Sequence, residues 1–406
     1  MVEALRPGPF GSGIEESESL IRTMNNESSN INKRRTARII TVASGLLFSA
    51  FSFTYIAIFQ KDVMEALHYS LAQGRTVYAP WVSAVLITVI LLVFRWVLNG
   101  LTRLDGPLKA LSYFPLFLIL GVLTDVSHDV YHGGGIADVW SWLLPLLLVF
   151  HIIIGCLLAR ASRLWLNPDI PDGFVMNSNF FILLMLCFMT IGIGNDNIHF
   201  HHELQVEESL RKQDYDMAMK VGEKSMDPSR NLTALRAYAM SRSGTMGENL
   251  FRYPQLYGAA GLLMSTSNDK ALRLNADSLS VYLGAKPFLG ESALDFFHRI
   301  CEEESGNYTT MDYYLSALLL ERKLDEFVRA FDELYERDSI PYYYRQALFL
   351  NGKMHSSATT DSADVALEEL WSKYIAKQQE LSGQRGEANL MRREFGDTYW
   401  WYYQYK

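Results

Sequence analysis

Histidine and aspartate side chains gather in two segments of the sequence, and each segment follows an apolar stretch. The first segment contains Asp125, His128 and His132. If the preceding helix continued through it, these residues would lie on one face, because side chains three and four positions apart are neighbours on a helix. Imidazole nitrogens four residues apart can hold a divalent metal ion, and a carboxylate can complete or orient the site. The spacing therefore makes this segment a candidate metal site.

The second segment follows the last apolar stretch and begins at Asp196. If both segments leave a membrane on the same side, the candidate metal ligands are Asp125, His128, His132, His199, His201 and His202. Neither spacing is specific for zinc, and the catalytic glutamate of an HExxH motif is absent. Polar residues also gather wherever helices leave a bilayer. Ordinary interface residues are therefore the favoured interpretation, and we expect no cofactor other than a divalent metal, if one binds here.

The elements that would position these residues are five apolar stretches in the first half of the chain. They cover residues 39–59, 77–98, 108–123, 139–159 and 174–193. Most of them reach the roughly 20 residues that a helix needs to cross a bilayer, and the third is the shortest. The sequence therefore predicts a transmembrane bundle of five helices within residues 37–195. The polar residues 1–36 cannot bury enough apolar surface to fold and are expected to form a disordered tail.

Lysine and arginine residues alternate between the two ends of these stretches. They precede the first stretch, surround the second connection and close the fourth stretch, at Lys33, Arg34, Arg35, Arg38, Arg95, Arg103, Lys109, Arg160 and Arg163. By the positive-inside rule, the N-terminus is cytoplasmic. Five crossings then place everything after Gly194 on the opposite face of the membrane.

Several classes of function are disfavoured by what the sequence lacks. The chain has a net charge of −8 and no clustered basic stripe, which argues against nucleic-acid binding. Transporters usually place ionisable groups near the bilayer midplane, often in two matching halves. Only His151 is a clear candidate for such a group, and five helices do not divide into an inverted repeat. We expect His151 to form a hydrogen bond to a neighbouring helix.

From residue 196 onward the pattern changes to amphipathic helices joined by tight turns. Helix–turn–helix units are predicted at 203–226 and 313–334, and further helices at 231–242, 256–264, 269–283 and 292–304. The first unit resembles the tetratricopeptide repeat through Leu210, Tyr215, Ala218, Ser225 and Pro228, and the second through Leu318, Leu324, Phe327, Phe331 and Pro341. Asp214 replaces the usual turn glycine, and Gly222 replaces the usual aromatic residue. The fold class is therefore all-α, with a helical-hairpin domain over residues 196–394.

Residues 395–406 are rich in aromatic side chains, with Phe395, Tyr399, Trp400, Trp401, Tyr402 and Tyr403 close together. One interpretation is a patch that stacks on a ligand, because tyrosine and tryptophan are enriched in recognition surfaces. The other is a cap that covers the last helical hairpin, as the ends of repeat arrays require. We favour the cap, because a dense aromatic run left exposed would aggregate.

The whole layout resembles an uncharacterised family of bacterial multi-pass membrane proteins with tetratricopeptide-like C-terminal domains. The resemblance rests on the order of the segments and on the tail Gly-Asp-Thr-Tyr-Trp-Trp-Tyr-Tyr at residues 396–403. It implies the bacterial inner membrane, with a periplasmic C-terminal domain, and implies no catalytic residue. We therefore expect a non-enzymatic protein that presents its helical domain to a protein or peptide partner or organises the envelope. The alternative is a membrane enzyme that acts on a lipid-linked or envelope substrate through the histidine and aspartate cluster.

Overall fold

The computed structural model describes residues 35–102, 104–132, 134–165, 170–265, 272–303, 308–335, 339–355 and 365–406, without the side chains of residues 162–165. The predicted tail at residues 1–36 lies outside these ranges, apart from its last two residues. The chain divides into two compact units, Met1–Asp196 and Asn197–Lys406. The described residues are helical or in loops, and their β pairing is an isolated antiparallel bridge between Val126 and Ile136. The predicted all-helical class is confirmed.

Among the described residues of the first unit, five helices are long and apolar enough to cross a membrane, as the sequence predicts. They are α1 (Arg35–Phe59), α3 (Pro80–Thr102), the third span (Gly106–Thr124), α5 (Trp140–Trp165) and α6 (Asp172–Ile193). The short helix α2 (Lys61–Ala72) follows α1. The third span starts as a 3-10 helix, Gly106–Tyr113, and continues as α4, Phe114–Thr124. Pro115 has no N–H to donate to the Leu111 carbonyl, and the N–H of Phe114 bonds that carbonyl instead.

The third span, the shortest of the five apolar stretches in the sequence, forms the centre of the bundle. In its most apolar window 61% of the residues are buried within the protein, against 17–33% in the other four spans. Leu116, Phe117 and Leu120 are fully buried there, and the Phe117 ring meets the Phe48 ring of α1 edge-on at 5.1 Å. The other four helices therefore surround the third span and expose apolar side chains on their outer faces.

Hydrogen bonds join the starts of α1, the third span and α6 at one end of the bundle. Thr36, at the start of α1, donates to Asp172, at the start of α6, over 3.0 Å. Lys109, near the start of the third span, donates to the Ala37 carbonyl over 3.2 Å. These contacts define the basic end of the bundle, which also includes Arg95 through its bond to Ser112. The opposite end carries the connection between α4 and α5 and is called the loop end here.

The second unit is built from short helices. They are α7 (Ile198–Arg211), α8 (Tyr215–Lys220), α9 (Arg230–Ser243), α10 (Met246–Asn249), α11 (Ala276–Leu283), α12 (Ala293–Glu303), α13 (Tyr308–Leu320), α14 (Leu324–Leu334), α15 (Tyr342–His355), α16 (Val365–Leu381), α17 (Glu387–Phe395) and α18 (Tyr399–Tyr405). Three-residue and five-residue 3-10 helices occur at Leu250–Arg252 and Gly258–Leu262. Within the predicted helix at 256–264, the structure has a short 3-10 helix and not an α-helix.

Two helix–turn–helix units predicted from the sequence share one turn geometry. After α7, Gln213 adopts a φ of 59°, its N–H bonds Leu210, and the next N–H bonds Ser209. After α13, Arg322 adopts a φ of 58° and the same two bonds recur with Leu319 and Leu318. This is the Schellman ending, in which a left-handed residue satisfies the last helix carbonyls. The matching turns support two equivalent helical hairpins.

Helix α8 is much shorter than the sequence suggests, because it ends at Lys220 rather than near Met226. Gly222 has a φ of 60°, and a Cβ atom on it would lie 2.8 Å from Nδ1 of His202. The ring of His202 therefore occupies the space beside the Gly222 backbone, where the tetratricopeptide pattern would place an aromatic side chain. Helix α11 likewise begins at Ala276, later than the predicted 269–283, and residues 266–271 lie outside the described ranges.

The aromatic tail packs into the second unit. Trp400 is 1% exposed and its ring meets the Trp371 ring at 5.0 Å, edge to face. Its indole N–H donates to the carbonyl of Gln346 over 3.0 Å, and the Gln346 side chain accepts the backbone N–H of Tyr399 over 2.7 Å. The Tyr402 hydroxyl donates to the carbonyl of Leu320, at the end of α13, over 2.8 Å. These rings join α13, α15 and α16.

Candidate functional site

The segment after the third span is a closed loop and not a continuation of the helix. Helix α4 ends at Thr124, and Asp125 is its C-terminal cap residue. The N–H of Ser127 donates to Gly135 over 2.8 Å, and the N–H of Ala137 donates to Asp125 over 3.2 Å. The loop therefore closes on itself through a short antiparallel pairing. The helical face that the spacing of Asp125, His128 and His132 would have formed is not made.

The aspartate and the two histidines of this loop have different surroundings. A carboxylate oxygen of Asp125 accepts the indole N–H of Trp140 over 2.6 Å, which attaches the base of the loop to the first residue of α5. His128 is exposed on the loop, and His132 is an exposed residue at the end of a 3-10 turn, Val130–His132. The carboxylate of Asp125 therefore has a structural bond, whereas both imidazoles lie at the surface.

A buried hydrogen-bond network lies beneath this loop at the loop end of the bundle. The hydroxyls of Tyr55 and Thr124 share a hydrogen bond of 3.0 Å, which joins α1 to α4. Tyr55 begins a π-helical turn, Tyr55–Phe59, in the last part of α1. A Cβ atom on Gly194 would clash with the hydroxyl oxygen of Tyr55, so this position requires glycine. The closeness of the three chain segments fixes where α6 ends.

Asn195 connects the same hydrogen-bond network to the end of the first unit. Its backbone N–H donates to Thr124 over 3.1 Å, and its side-chain amide donates to Val126 over 3.1 Å. Its carbonyl accepts the side-chain amide of Gln60, just after α1, over 2.8 Å. The residue that leads into the second unit is therefore held by two other segments of the bundle. A π-turn and a dense polar network are features that often accompany functional sites, but their bonds are used here to join helices.

The second histidine segment forms the first turns of α7. The side chain of Asn197 caps this helix by accepting the N–H groups of His199 and Phe200 over 3.0 and 3.3 Å. His201 is 8% exposed and lies on the buried side of α7, whereas His202 packs against Gly222. Because residues two positions apart point in different directions on a helix, His199 and His201 do not share a face. His199 and His202, three positions apart, are neighbours on the helix, but His201 is not on their face, so the three imidazoles do not share one face.

Among the residues that the structure describes, no group of three or more histidine, cysteine, aspartate or glutamate side chains is close enough to hold a metal ion. The two predicted segments also belong to different units of the chain. Metal binding at Asp125, His128, His132, His199, His201 and His202 stays a prediction that metal analysis has to test.

His151 of α5 is packed differently from what its sequence context suggests. Its ring stacks on Phe114 with a centroid distance of 5.1 Å and an interplanar angle of 19°. The side chain is 8% exposed, and its Nε2 atom has no hydrogen-bond partner among the described residues. The expected bond to a neighbouring helix is therefore not formed by Nε2. Stacking on Phe114 is the contact that the structure shows for this ring.

The second unit contains a cleft with a volume of about 730 Å³. Its apolar wall includes Leu279 and Leu283 of α11, each 2% exposed, and Met264. Segments from α9, the 3-10 helix Gly258–Leu262, α11 and the first turn of α12 contribute to it. A volume of this size lies within the range of about 300–1,000 Å³ that is typical of small-ligand sites. The cleft is therefore large enough for an apolar group of a partner.

Two charged side chains of the cleft bond the backbone of one of its walls. Nε of Arg230 donates to the carbonyls of Ala260 and Leu263 over 3.0 and 3.1 Å. A carboxylate oxygen of Glu321 accepts the N–H of Ala259 over 2.9 Å. These bonds fix the 3-10 helix that forms one wall. A second groove, of about 620 Å³, differs because charged residues line it, among them Glu302, Glu326, Arg329 and Glu333.

This cleft is not predicted by the sequence analysis above, because its lining residues are ordinary apolar and charged types that lie far apart in the chain. Arg230 and Glu321 are separated by 91 positions, as their numbers show, yet they hold the same wall. A local motif could not reveal that arrangement. The signal that could have suggested it is the predicted stack of helical hairpins, since such arrays leave concave surfaces.

Comparison with known proteins gives one match and no named relative. Neither a curated protein nor a solved structure shows a significant similarity to the chain. The sequence model of a family of unknown function, DUF6057, matches residues 131–285 and 280–406. These two ranges together cover more than half of the chain, including the last two of the five apolar helices and the whole second unit. The chain belongs to this family of unknown function, DUF6057.

Proposed function

We propose that this protein is a bacterial inner-membrane protein that displays its second unit in the periplasm and binds a protein or peptide segment in the cleft beside α11. The observation that carries the proposal is the apolar cleft of about 730 Å³ in a helical unit joined directly to a membrane bundle. No metal or cofactor is required for this role. The repeat-like hairpins, which resemble tetratricopeptide units in sequence, serve as its scaffold.

The arrangement of charge in the bundle supports this orientation. The basic end contains Arg38, Arg95 and Lys109, where the contacts of Thr36 and Ala37 bring the starts of three spans together. The loop end contains Asp125 and Asn195, and Asn195 leads into the second unit. Because the cytoplasmic side of a membrane protein is enriched in lysine and arginine, the basic end is assigned to the cytoplasm. The second unit then lies in the periplasm.

The chemistry of the cleft supports a partner that contributes an apolar side chain. Its wall residues Leu279, Leu283 and Met264 are apolar, and the nearby Arg230 and Glu321 are bonded to the backbone of the protein. A partner segment can gain roughly 25 cal/mol for each Å² of apolar surface that it buries. Interface energy is usually concentrated in a few such anchors. The cleft is therefore suited to one or two apolar anchors of a peptide.

The proposal is tested by photo-crosslinking of the full-length protein in cells. A p-benzoylphenylalanine probe replaces Ala276, which lines the cleft, and a second substitution, Ser280→Trp, fills the cleft from the next turn of α11. We expect one discrete protein adduct from the probe alone and at least a tenfold loss of that adduct with Ser280→Trp.

The matched control is Ser372→Trp. Ser280 and Ser372 both bond the carbonyl four residues earlier in a helix, over 2.8 Å each, but Ser372 is exposed on α16 and outside the cleft. This control variant should keep the adduct. Absence of any adduct at Ala276, or equal loss with both tryptophan substitutions, would overturn the assignment of the cleft as the binding site.

A further inference from the structure

A small group of apolar side chains on the second unit projects into solvent and has no cover. Leu289 is 107% exposed, the highest value among the large apolar residues that the structure describes. Phe288 and Val281 are 64% and 80% exposed. Val281 lies one turn after Asp277 on α11, and Lys286 of the following loop is paired with Asp277. We call Val281, Phe288 and Leu289 the apolar tip.

The loop that carries the tip is held in one shape by a bidentate ion pair. Arg299 of α12 donates through Nε and Nη2 to the two carboxylate oxygens of Glu291 over 2.9 and 3.0 Å. Glu291 also accepts the N–H of Phe288 over 2.7 Å, and Arg299 donates to the carbonyl of Lys286 over 3.1 Å. Planar, two-bond pairing of this kind fixes geometry as well as charge. The exposure of the tip is therefore a property of an ordered loop.

The same contacts pair the charged side chains at the base of the tip. Glu291 and Arg299 neutralise each other, and Lys286 pairs with Asp277. The guanidinium carbon of Arg299 also lies 4.0 Å from the centre of the Phe288 ring, which positions this ring against the base of the loop. A segment that enters lipid must satisfy its polar groups within itself, because the bilayer core has no water to do so. The base of this loop meets that condition for the N–H of Phe288 and the carbonyl of Lys286.

A bilayer is the one apolar phase that is always close to this unit. The last membrane span ends at Ile193, and the second unit begins at Asn197. Three residues, 194–196, separate the two, so the second unit is attached close to the membrane surface. An exposed apolar group of this kind on a soluble unit otherwise marks an interaction site or a risk of aggregation.

We infer that the apolar tip inserts into the headgroup and acyl boundary of the membrane that anchors the protein. Phe288 and Leu289 enter the bilayer, Val281 lies at its surface, and the Lys286 side chain stays among the headgroups. The insertion gives the second unit a second attachment to the membrane, in addition to α6. It does not depend on which side of the membrane the unit occupies, so it can fail or hold independently of the proposed function.

The test uses the full-length protein in vesicles of phosphatidylethanolamine and phosphatidylglycerol. A p-benzoylphenylalanine probe replaces Leu289 in one sample and Met354 in the control, which is 54% exposed on α15 of the same unit. Mass spectrometry then identifies the adducts. We expect phospholipid adducts at Leu289 with a yield at least tenfold above that at Met354.

A second pair of variants separates insertion from accidental proximity. With the probe at Val281, the substitution Leu289→Ser should lower the lipid adduct about tenfold or more, since burial of one leucine changes an equilibrium by at least that factor. Leu289→Met keeps an apolar side chain and should keep the adduct. Both variants should unfold at the same urea concentration as the wild type, because this side chain is fully exposed. Equal lipid yields at Leu289 and Met354, an unchanged Val281 yield in Leu289→Ser, or adducts with protein alone would overturn the inference.

Discussion

Replacement of Trp400 by alanine should destabilise the second unit strongly, because this ring fills the space between α15 and α16. The side chain is 1% exposed and its ring lies 5.7 Å from that of Phe349 and 5.0 Å from that of Trp371. Removal of a buried tryptophan or phenylalanine usually costs about 3–5 kcal/mol of unfolding free energy. The loss of the indole N–H also leaves the carbonyl of Gln346 without its side-chain donor, at a cost of about 1–3 kcal/mol when that group is buried.

Because these two effects are not additive, we expect a total loss of about 4 kcal/mol for Trp400→Ala, against a total stability of roughly 5–15 kcal/mol for a typical domain. Trp400→Phe keeps a ring but loses the N–H, so about 1–2 kcal/mol should be lost. Tyr403→Ala, on the same helix, is the control, because Tyr403 is only half-buried. It should lose less than about 1 kcal/mol.

The assay is a urea titration of the full-length protein in detergent, followed by a brief protease pulse that digests the second unit only where it has unfolded. The amount of intact second unit gives its unfolding free energy at each urea concentration. A loss below about 1 kcal/mol for Trp400→Ala, or an equal loss for Tyr403→Ala, would refute a packed tail. Truncation before Gly396 removes the same rings and should abolish the protease-resistant unit.

Three further perturbations have defined outcomes. His151→Phe should leave the stability of the bundle unchanged or raise it by about 1 kcal/mol, measured by thermal unfolding in detergent. The phenylalanine ring keeps the stacking on Phe114 and removes an Nε2 atom without a hydrogen-bond partner. A loss above about 2 kcal/mol, on the order of a lost buried hydrogen bond, would refute this reasoning. Burial raises the pKa of the Glu207 carboxyl, in α7, above its usual value of 4.5. Between pH 4.5 and the raised pKa, the folded unit therefore holds a proton that the unfolded chain has released. The free energy of unfolding should fall as the pH rises through this range. Glu207→Gln should flatten that part of the pH profile of urea unfolding, and an unchanged profile would show that another group titrates. If the loop binds a divalent metal, elemental analysis of purified protein should find it, and His128→Ala with His132→Ala should remove it; unchanged content, or no metal in the wild type, would end that prediction.

The membrane half could be predicted from sequence because the signal is local. A bilayer requires a continuous apolar helix of fixed length, and each of the five stretches carries that pattern within itself. The third stretch is the shortest, and its span begins as a 3-10 helix at Gly106 that continues as α4 from Phe114. Its central place depends on packing with α1 and α6, which no single stretch encodes.

The loop and the second unit show what local patterns leave out. The spacing of Asp125, His128 and His132 predicts a helical face, but pairing of Val126 with Ile136 closes a loop instead. Helix α8 ends early because the ring of His202 packs beside Gly222, a contact between residues 20 positions apart by their numbers. Non-local contacts of this kind decide boundaries and sites. The turns after α7 and α13 were predictable because their bonds are local.

We propose that five spans, with a cytoplasmic N-terminus, place the second unit in the periplasm. Alkaline phosphatase folds only outside the cytoplasm, so its activity reports the side of the membrane at each fusion point. Fusions are made at Lys61, Leu104, Gly134, Leu166 and Glu203, one in each connection and one at the start of the second unit. We expect activity at Lys61, Gly134 and Glu203 alone. Activity at Leu104 or Leu166, or an inactive fusion at Glu203, would contradict it.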